Sequence, residues 1–148
     1  MARERGIEIV EQSNPKKGDF STLIKAEVTT DKKTYTAAGT LFGNQFLRLV
    51  QLGPHHLEAY MDGILLVFTH RDVPGLIGFI GTIFGKHQVN IAQMNVGRQI
   101  PGGEAMGILN LDTMPSEAAL QEVRRHPQIS SLCVVKLPTA GEMPKWFG

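Results

Sequence analysis

Hydrophobic and polar positions follow different patterns on the two sides of Asp62-Gly63. On the amino-terminal side, short apolar runs are separated by turn-forming residues, a pattern typical of antiparallel strands joined by tight turns. No segment there shows the three- and four-residue spacing of apolar positions that an amphipathic helix needs. Strands are predicted at residues 7–12, 20–30, 34–42, 46–52 and 56–61.

On the carboxyl-terminal side, strand and helix patterns take turns. The continuous apolar run 64–69 indicates a central strand, and Pro74 is expected to open a helix because a proline loses no hydrogen bond there. Apolar residues at helical spacing extend this helix to about Lys86. Further strands are predicted at 89–99, 105–111 and 129–137, with a second helix from Pro115 to about Arg125. This order is that of the ferredoxin-like βαββαβ fold.

The two patterns together predict an α+β chain with a strand-rich unit at residues 1–62 and a ferredoxin-like unit at 63–137. Four or five strands with one apolar face need a covering layer, so residues 1–62 are expected to be the C-terminal part of a larger domain, and the chain a fragment. Both helices of the second unit should cover one face of its sheet, leaving the other face and an edge free for a second copy. Residues 138–148 are predicted to be a flexible tail.

Composition and charge exclude several classes of function. Fifteen lysines and arginines against fourteen acidic residues give a net charge of +1, so no general attraction to nucleic acid or to an anionic membrane is expected. No apolar run approaches the ~20 residues of a membrane span, and a signal-peptide core is lacking, which makes the cytoplasm the expected location. Cys133 is the only cysteine, and its apolar neighbours predict a buried side chain.

No recognisable catalytic or metal-binding motif is present in the sequence. The five histidines form neither H-x-x-x-H nor H-E-x-x-H, and no serine lies in G-x-S-x-G. The glycines at 75, 78, 81 and 85 lack the spacing of a nucleotide-binding loop, although the last three would share a helix face and let a neighbour approach closely. We therefore expect no active site, metal or cofactor in this chain.

A group of polar residues surrounds the predicted start of the first helix. His70 ends a strand, Asp72 lies in the loop that follows, and Asn90 opens the next strand. Each has a plain structural interpretation, as a sheet-edge residue, an N-cap and a turn residue. Gathered at one helix N-terminus, whose N–H groups favour a carboxylate, they predict a site for a small amino acid. Asp72 would pair with the α-ammonium, and the others would hydrogen-bond a polar side chain. The site is predicted to include Pro74, Gly75 and Leu76.

The segment His70-Arg71-Asp72-Val73-Pro74-Gly75, followed by Val89-Asn90-Ile91-Ala92, resembles an ACT domain, a small-molecule regulatory module. From about Arg5 to Leu137, the chain resembles the C-terminal regulatory region of D-3-phosphoglycerate dehydrogenases that carry an allosteric substrate-binding domain before the ACT domain. The supporting motifs include Glu27-Val28-Thr29-Thr30-Asp31, Ala38-Gly39-Thr40-Leu41-Phe42-Gly43 and Asn90-Ile91-Ala92-Gln93-Met94. Val73 departs from the family, which usually has arginine there, and the NAD-binding catalytic part is missing.

This resemblance implies a regulatory role. ACT modules of this enzyme pair side by side into an eight-stranded sheet and bind L-serine at the interface, where His70, Asp72 and Asn90 match the serine-contacting positions. Serine capture would then be feedback inhibition, which residues 1–62 would relay to the catalytic part. Candidates for binding a phosphate-bearing ligand in that unit are Lys25, Arg48, Lys32 and Lys33.

Two other interpretations share the same pattern. The β-type subunit of iron–sulfur L-serine dehydratase resembles the same two modules in tandem, although Gly39-Thr40-Leu41-Phe42-Gly43 fits the dehydrogenase better. The second is a free-standing amino-acid sensor or dimerisation module. The incomplete look of residues 1–62 argues against such an independent module.

Overall fold

The structure, a computed structural model, describes residues 3–13, 22–43 and 46–138. A short 3-10 helix, Arg3–Arg5, comes first. The strands are β1 (Leu23–Thr29), β2 (Thr34–Phe42), β3 (Phe46–Leu52), β4 (His55–Tyr60), β5 (Ile64–Arg71), β6 (Ile91–Arg98), β7 (Glu104–Leu111) and β8 (Ile129–Lys136), and the helices are α1 (Leu76–Lys86) and α2 (Glu117–Arg124).

The first sheet is an antiparallel meander in the order β1-β2-β3-β4. Thr30 closes the β1–β2 turn, where its hydroxyl accepts hydrogen bonds from the N–H groups of Lys32 and Lys33. Gly53 takes a φ of +55° in the β3–β4 turn, a conformation that favours glycine. Four of the five strands predicted in this half are therefore confirmed.

The strand predicted at residues 7–12 is wrong. These residues follow an irregular path with no strand pairing, and Ile7, Ile9 and Val10 are exposed. A strand requires a neighbour that satisfies its N–H and C=O groups, and an alternating sequence pattern does not provide one.

The second sheet has the order β6-β7-β5-β8, with every neighbouring pair antiparallel. Both helices pack on one face, around a core made of Leu66, Phe68, Leu76, Ile80, Ile83, Phe84, Val89, Leu109, Leu111, Ala119, Leu120 and Val123. Gly107 on β7 is required there, since a Cβ at this position would overlap the ring of Phe68. This is the predicted α+β, ferredoxin-like arrangement, and it confirms the fold class.

The other face of the second sheet is not free, contrary to expectation. Leu49 on β3 and Leu57 on β4 pack against Leu65 and Ile108, so that the first sheet covers this face. The reason is that β5 and β7 present apolar side chains on both faces, and both need to be removed from water. Among the described residues, β6 and β8 remain as the edges of the second sheet.

Three local expectations also need correction. Helix α1 begins at Leu76 instead of Pro74, because Gly75 is its N-cap with a φ of +87°. Cys133 is exposed because it lies on the edge strand β8 and its side chain is outside the core that Leu132 and Val134 join. The glycines at 78, 81 and 85 lie on the exposed face of α1, and within the described part of the chain nothing approaches a Cβ built on them.

Within the described ranges, no helix is long and apolar enough to cross a membrane. The same ranges contain no cluster of three or more His, Cys, Asp or Glu side chains that could hold a metal ion. The tail predicted at 138–148 lies, beyond Pro138, outside the described residues.

Candidate functional site

His70, near the end of β5, is almost completely buried, with 2% of its surface exposed. Its Nδ1 lies 2.8 Å from the carbonyl oxygen of Arg71, so this nitrogen carries the proton and donates it. In the neutral ring Nε2 is then an acceptor, and it has no hydrogen-bond partner among the described residues. A buried acceptor of this kind normally has a partner, so the unpaired Nε2 near the end of β5 calls for a structural or functional explanation.

Asp72 is held by two elements at once. Its Oδ2 accepts hydrogen bonds from Nη1 of Arg98, at 2.6 Å, and from the N–H of Gly102, at 3.1 Å. Its own N–H donates to the carbonyl oxygen of Gly103. The Arg98 hydrogen bond, followed by that of Gly102, lowers the pKa of Asp72 below its usual value of 3.8, so the carboxylate is charged at neutral pH. Asp72 does not act as the N-cap of α1.

The N-terminus of α1 lacks the protein's own cap. Gly75 offers no side chain, and within the described residues there is neither a side-chain cap nor an acidic residue in the first turn. By contrast, Ser116 caps α2 by accepting a hydrogen bond from the N–H of Ala119. Leu76 directs its side chain into the core, so only its backbone N–H could serve a site. We call His70, Asp72, Arg98 and this N-terminus the Asp72 corner.

Asn90 lies at the opposite end of the sheet, and its predicted place beside the other two residues is wrong for a single chain. Strands β5 and β6 both run antiparallel to β7, so they run parallel to each other. Ile91 is therefore level with Ile64, the first residue of β5. The last residue of β5, Arg71, is seven residues further along, or about 23 Å at ~3.3 Å per residue. Asn90 instead donates from Nδ2 to Oδ2 of Asp112, at 2.6 Å.

Arg98 was not among the residues predicted for the site. The register of the sheet places it level with Ala105 on β7, which is in turn level with His70 on β5. Its side chain is half exposed, at 52%. The signal was present in the sequence, since a strand near 89–99 followed by Pro101-Gly102-Gly103 already implied a hairpin that returns at the end of β5.

The basic residues proposed for an anion in the first unit do not form one group. Lys25 pairs with Glu27 at 2.7 Å, and the guanidinium of Arg48 stacks on the ring of Tyr60 at 3.9 Å. Lys33 lies over the ring of Tyr35, in the β1–β2 hairpin beside Lys32. The register puts Arg48 level with Leu23 instead of Lys25, because both pair with Thr40.

The β6–β7 hairpin joins the Asp72 corner to the first sheet. On one side it provides Arg98 and Gly102, which bind Asp72. On the other side Nε2 of Gln99 donates to the carbonyl oxygen of Pro54, in the β3–β4 turn. The hairpin therefore contacts both the corner and the neighbouring unit.

Comparison with known proteins identifies both halves of the chain. The family profile described as the D-3-phosphoglycerate dehydrogenase intervening domain matches residues 1–53, and the ACT domain profile matches residues 64–128. The D-3-phosphoglycerate dehydrogenase of Bacillus subtilis (strain 168) is 33% identical over 138 residues, or 93% of this chain. The enzyme of that name from Methanocaldococcus jannaschii is 31% identical over 137 residues, also 93% of the chain.

A third relative is the D-3-phosphoglycerate dehydrogenase of Synechocystis sp., 33% identical over 136 residues, or 92% of the chain. The chain spans about a quarter of these relatives, 26% of the first two and 24% of the third. The matched part is their C-terminal region. The chain therefore corresponds to the C-terminal region of D-3-phosphoglycerate dehydrogenases, with intervening-domain sequence followed by an ACT domain.

Proposed function

We propose that this chain is the amino-acid-sensing region of a D-3-phosphoglycerate dehydrogenase and that its ACT domain binds L-serine. The whole enzyme would be an NAD-dependent oxidoreductase of serine biosynthesis, with NAD bound in a catalytic part that this chain does not resemble. Serine bound at the ACT domain would regulate that part by feedback, in a cytoplasmic homo-oligomer. The matches to the intervening domain and to the ACT domain support the proposal, and the geometry of the Asp72 corner is the observation on which it depends.

The Asp72 corner offers complementary groups for a small amino acid. Asp72 is charged and about one-fifth exposed, so it can receive an α-ammonium group. The uncapped N-terminus of α1 presents backbone N–H groups and a positive dipole end, which suit a carboxylate. The Nε2 of His70 is buried and has no partner among the described residues, so a side-chain hydroxyl of the ligand would donate to it once the atoms that cover it move aside. Together these groups match the three polar parts of serine.

A second copy would supply Asn90. In a two-fold pairing of two β6 edges, the strands run antiparallel, so the start of one β6 lies beside the end of the other. Asn90 of one copy would then approach Arg98 and Asp72 of the other. Two identical sites would result, each with residues from both copies, and the two four-stranded sheets would join into one of eight strands.

The β6–β7 hairpin is the proposed route from the site to the rest of the enzyme. It binds Asp72 through Arg98 and Gly102, and it binds Pro54 of the first unit through Gln99. Ligand binding that favours one position of the hairpin would bias the arrangement of the two units. The free energy by which serine shifts this equilibrium equals the difference between its binding free energies for the two arrangements, typically about 1–3 kcal/mol.

Titration calorimetry of the whole chain with L-serine tests the proposal. We expect heat of binding in the natural chain and a loss of roughly 10- to 100-fold in affinity for Asp72→Asn, which removes the charge that pairs with the ammonium group. Glu117→Gln is the matched control, because Glu117 is also a carboxylate paired with an arginine, but on α2. Its affinity should be unchanged.

Absence of binding to L-serine and to other small amino acids, in a folded natural chain, would overturn the proposed function. Equal losses in Asp72→Asn and Glu117→Gln would place the binding site elsewhere.

A further inference from the structure

We propose that Arg98 binds the α-carboxylate of the ligand, so that the Asp72–Arg98 pair selects a zwitterion. This inference rests on the proposed function and deepens it, since it names the chemical class of ligand and a residue that recognises it. The ligand class is a free α-amino acid, as opposed to an amine, an organic acid or a peptide linked through its carboxyl group.

The geometry leaves Arg98 with donors to spare. A guanidinium carries five N–H groups in one plane, and within the described residues the side chain of Arg98 bonds to Oδ2 of Asp72 through Nη1. The side chain is half exposed at the edge of the sheet. A carboxylate can therefore bind the remaining N–H groups while the ion pair with Asp72 stays intact, in the two-pronged geometry that arginine favours.

The charge balance of the corner points the same way. A lone carboxylate would attract any amine, and a lone helix N-terminus would attract any anion. Asp72 and Arg98 cancel each other, so the corner has little net charge but a strong local dipole. A zwitterion aligned against that dipole places its ammonium group at Asp72 and its carboxylate at Arg98, and both of its charges gain a partner. A ligand with only one charge can interact favourably with either Asp72 or Arg98, but not with both.

The alternative is that Arg98 positions Asp72 and does not contact the ligand. In that case the guanidinium only holds Asp72 in place, and its loss would weaken every ligand that binds Asp72 to the same degree. A ligand that lacks the carboxylate separates the two roles. L-Serinamide keeps the ammonium group and the hydroxyl of serine but has a neutral amide in place of the carboxylate.

Titration of the whole chain with both ligands, at about pH 6 where the α-amine is protonated, tests the assignment. We expect the natural chain to prefer L-serine over L-serinamide by roughly 10- to 100-fold, the effect of one charged hydrogen-bonded pair. In Arg98→Gln this preference should fall roughly 10-fold, leaving only what the N–H groups at the N-terminus of α1 contribute, with little change for L-serinamide, and Arg98→Lys should retain more of it. Arg124→Gln, which removes an exposed arginine–carboxylate pair on α2, should keep the full preference.

Thermal unfolding of each variant identifies any that fails to fold, and Arg98→Lys then replaces Arg98→Gln in the comparison. Equal weakening of both ligands in a folded Arg98 variant, or an unchanged preference, would overturn the role of Arg98 while leaving amino-acid binding in place. If the natural chain binds neither ligand, the proposed function fails, and the assignment of Arg98 fails with it.

Discussion

Gly97 on β6 lies directly against the backbone of His56 on β4. A Cβ at position 97 would stand 2.5 Å from the carbonyl oxygen of His56 and 3.2 Å from the Cβ of His55. No ordinary side chain fits in this space, so the backbones of the two sheets meet directly here. The contact is one residue away from Arg98 of the Asp72 corner.

Gly97→Ala is therefore expected to destabilise the chain by about 1–3 kcal/mol, the usual range for overpacking a tight contact. Denaturant unfolding measures the change. Gly81→Ala is the control, because position 81 is exposed in the middle of α1 and a Cβ there meets nothing within 4 Å among the described residues. It should be neutral or stabilise by up to ~1 kcal/mol. A Gly97→Ala chain as stable as the natural one would contradict the close sheet contact.

Asn110 provides a second connection between the sheets. It is 6% exposed, its Nδ2 donates to the carbonyl oxygen of Tyr60 at 3.0 Å, and its Oδ1 accepts from the Tyr60 N–H at 3.3 Å. Asn110→Ala removes both bonds and leaves two backbone groups without their partner, which should cost about 1–3 kcal/mol. Chemical denaturation measures this loss, with Asn95→Ala on β6 as a half-buried control. Identical losses in the two variants would show that the paired bonds to Tyr60 contribute nothing specific.

Much of the fold could be predicted because it depends on local periodicity. The helix at Leu76–Lys86 and the strands around Ile108 bury side chains at the spacing that the sequence displays. The packing of the first sheet on the second could not be predicted in this way, since no local pattern states which apolar face covers which. The irregular path of residues 7–12 was missed for a related reason, because strand formation depends on a partner that the pattern does not reveal.

The site shows the same division. Asp72 and the start of α1 follow from the strand–loop–helix order, which keeps them adjacent in space. Asn90 was misplaced because α1 carries the chain back along the sheet, so the next strand starts at the far end. Arg98 was missed because it lies on β6, whereas Asp72 follows β5. Only the strand register of the folded sheet shows that Arg98 is level with His70 and so lies beside Asp72. Residues close in sequence were thus easier to assign than residues brought together by strand register.

Glu122 on α2 should make stability depend on pH. The hydrogen bond from Lys86, followed by that from His87, lowers its pKa below the usual 4.5. A carboxylate whose pKa is lower in the folded chain than in the unfolded chain stabilises the fold at pH values above the unfolded pKa. This stabilisation is lost as the pH falls through the folded pKa. Glu122→Gln should therefore unfold at a lower temperature than the natural chain at pH 7, with the difference shrinking below about pH 4.5.

Thermal unfolding followed by circular dichroism from pH 7 to pH 3 measures this difference. The control is Glu58→Gln, in which the carboxylate belongs to β4 and lies 3.5 Å from Nε of Arg48. A gap between the Glu122→Gln and natural chains that stays constant across the whole range would argue against the ion pair between α1 and α2.

The composite nature of the proposed site leads to the most direct test. Asp72→Asn and Asn90→Ala chains should each bind L-serine poorly, because in a two-fold dimer each variant damages both sites. A dimer with one chain of each kind would contain one intact site, formed by Asp72 of one chain and Asn90 of the other. Random pairing in an equal mixture would then restore roughly a quarter of the natural number of sites.

Calorimetric titration of the two variants, unfolded and refolded together, with L-serine makes this measurement. We predict that binding with natural affinity returns in the mixture, at that reduced stoichiometry. A mixture that binds L-serine no better than the separate variants would contradict a site shared between two copies.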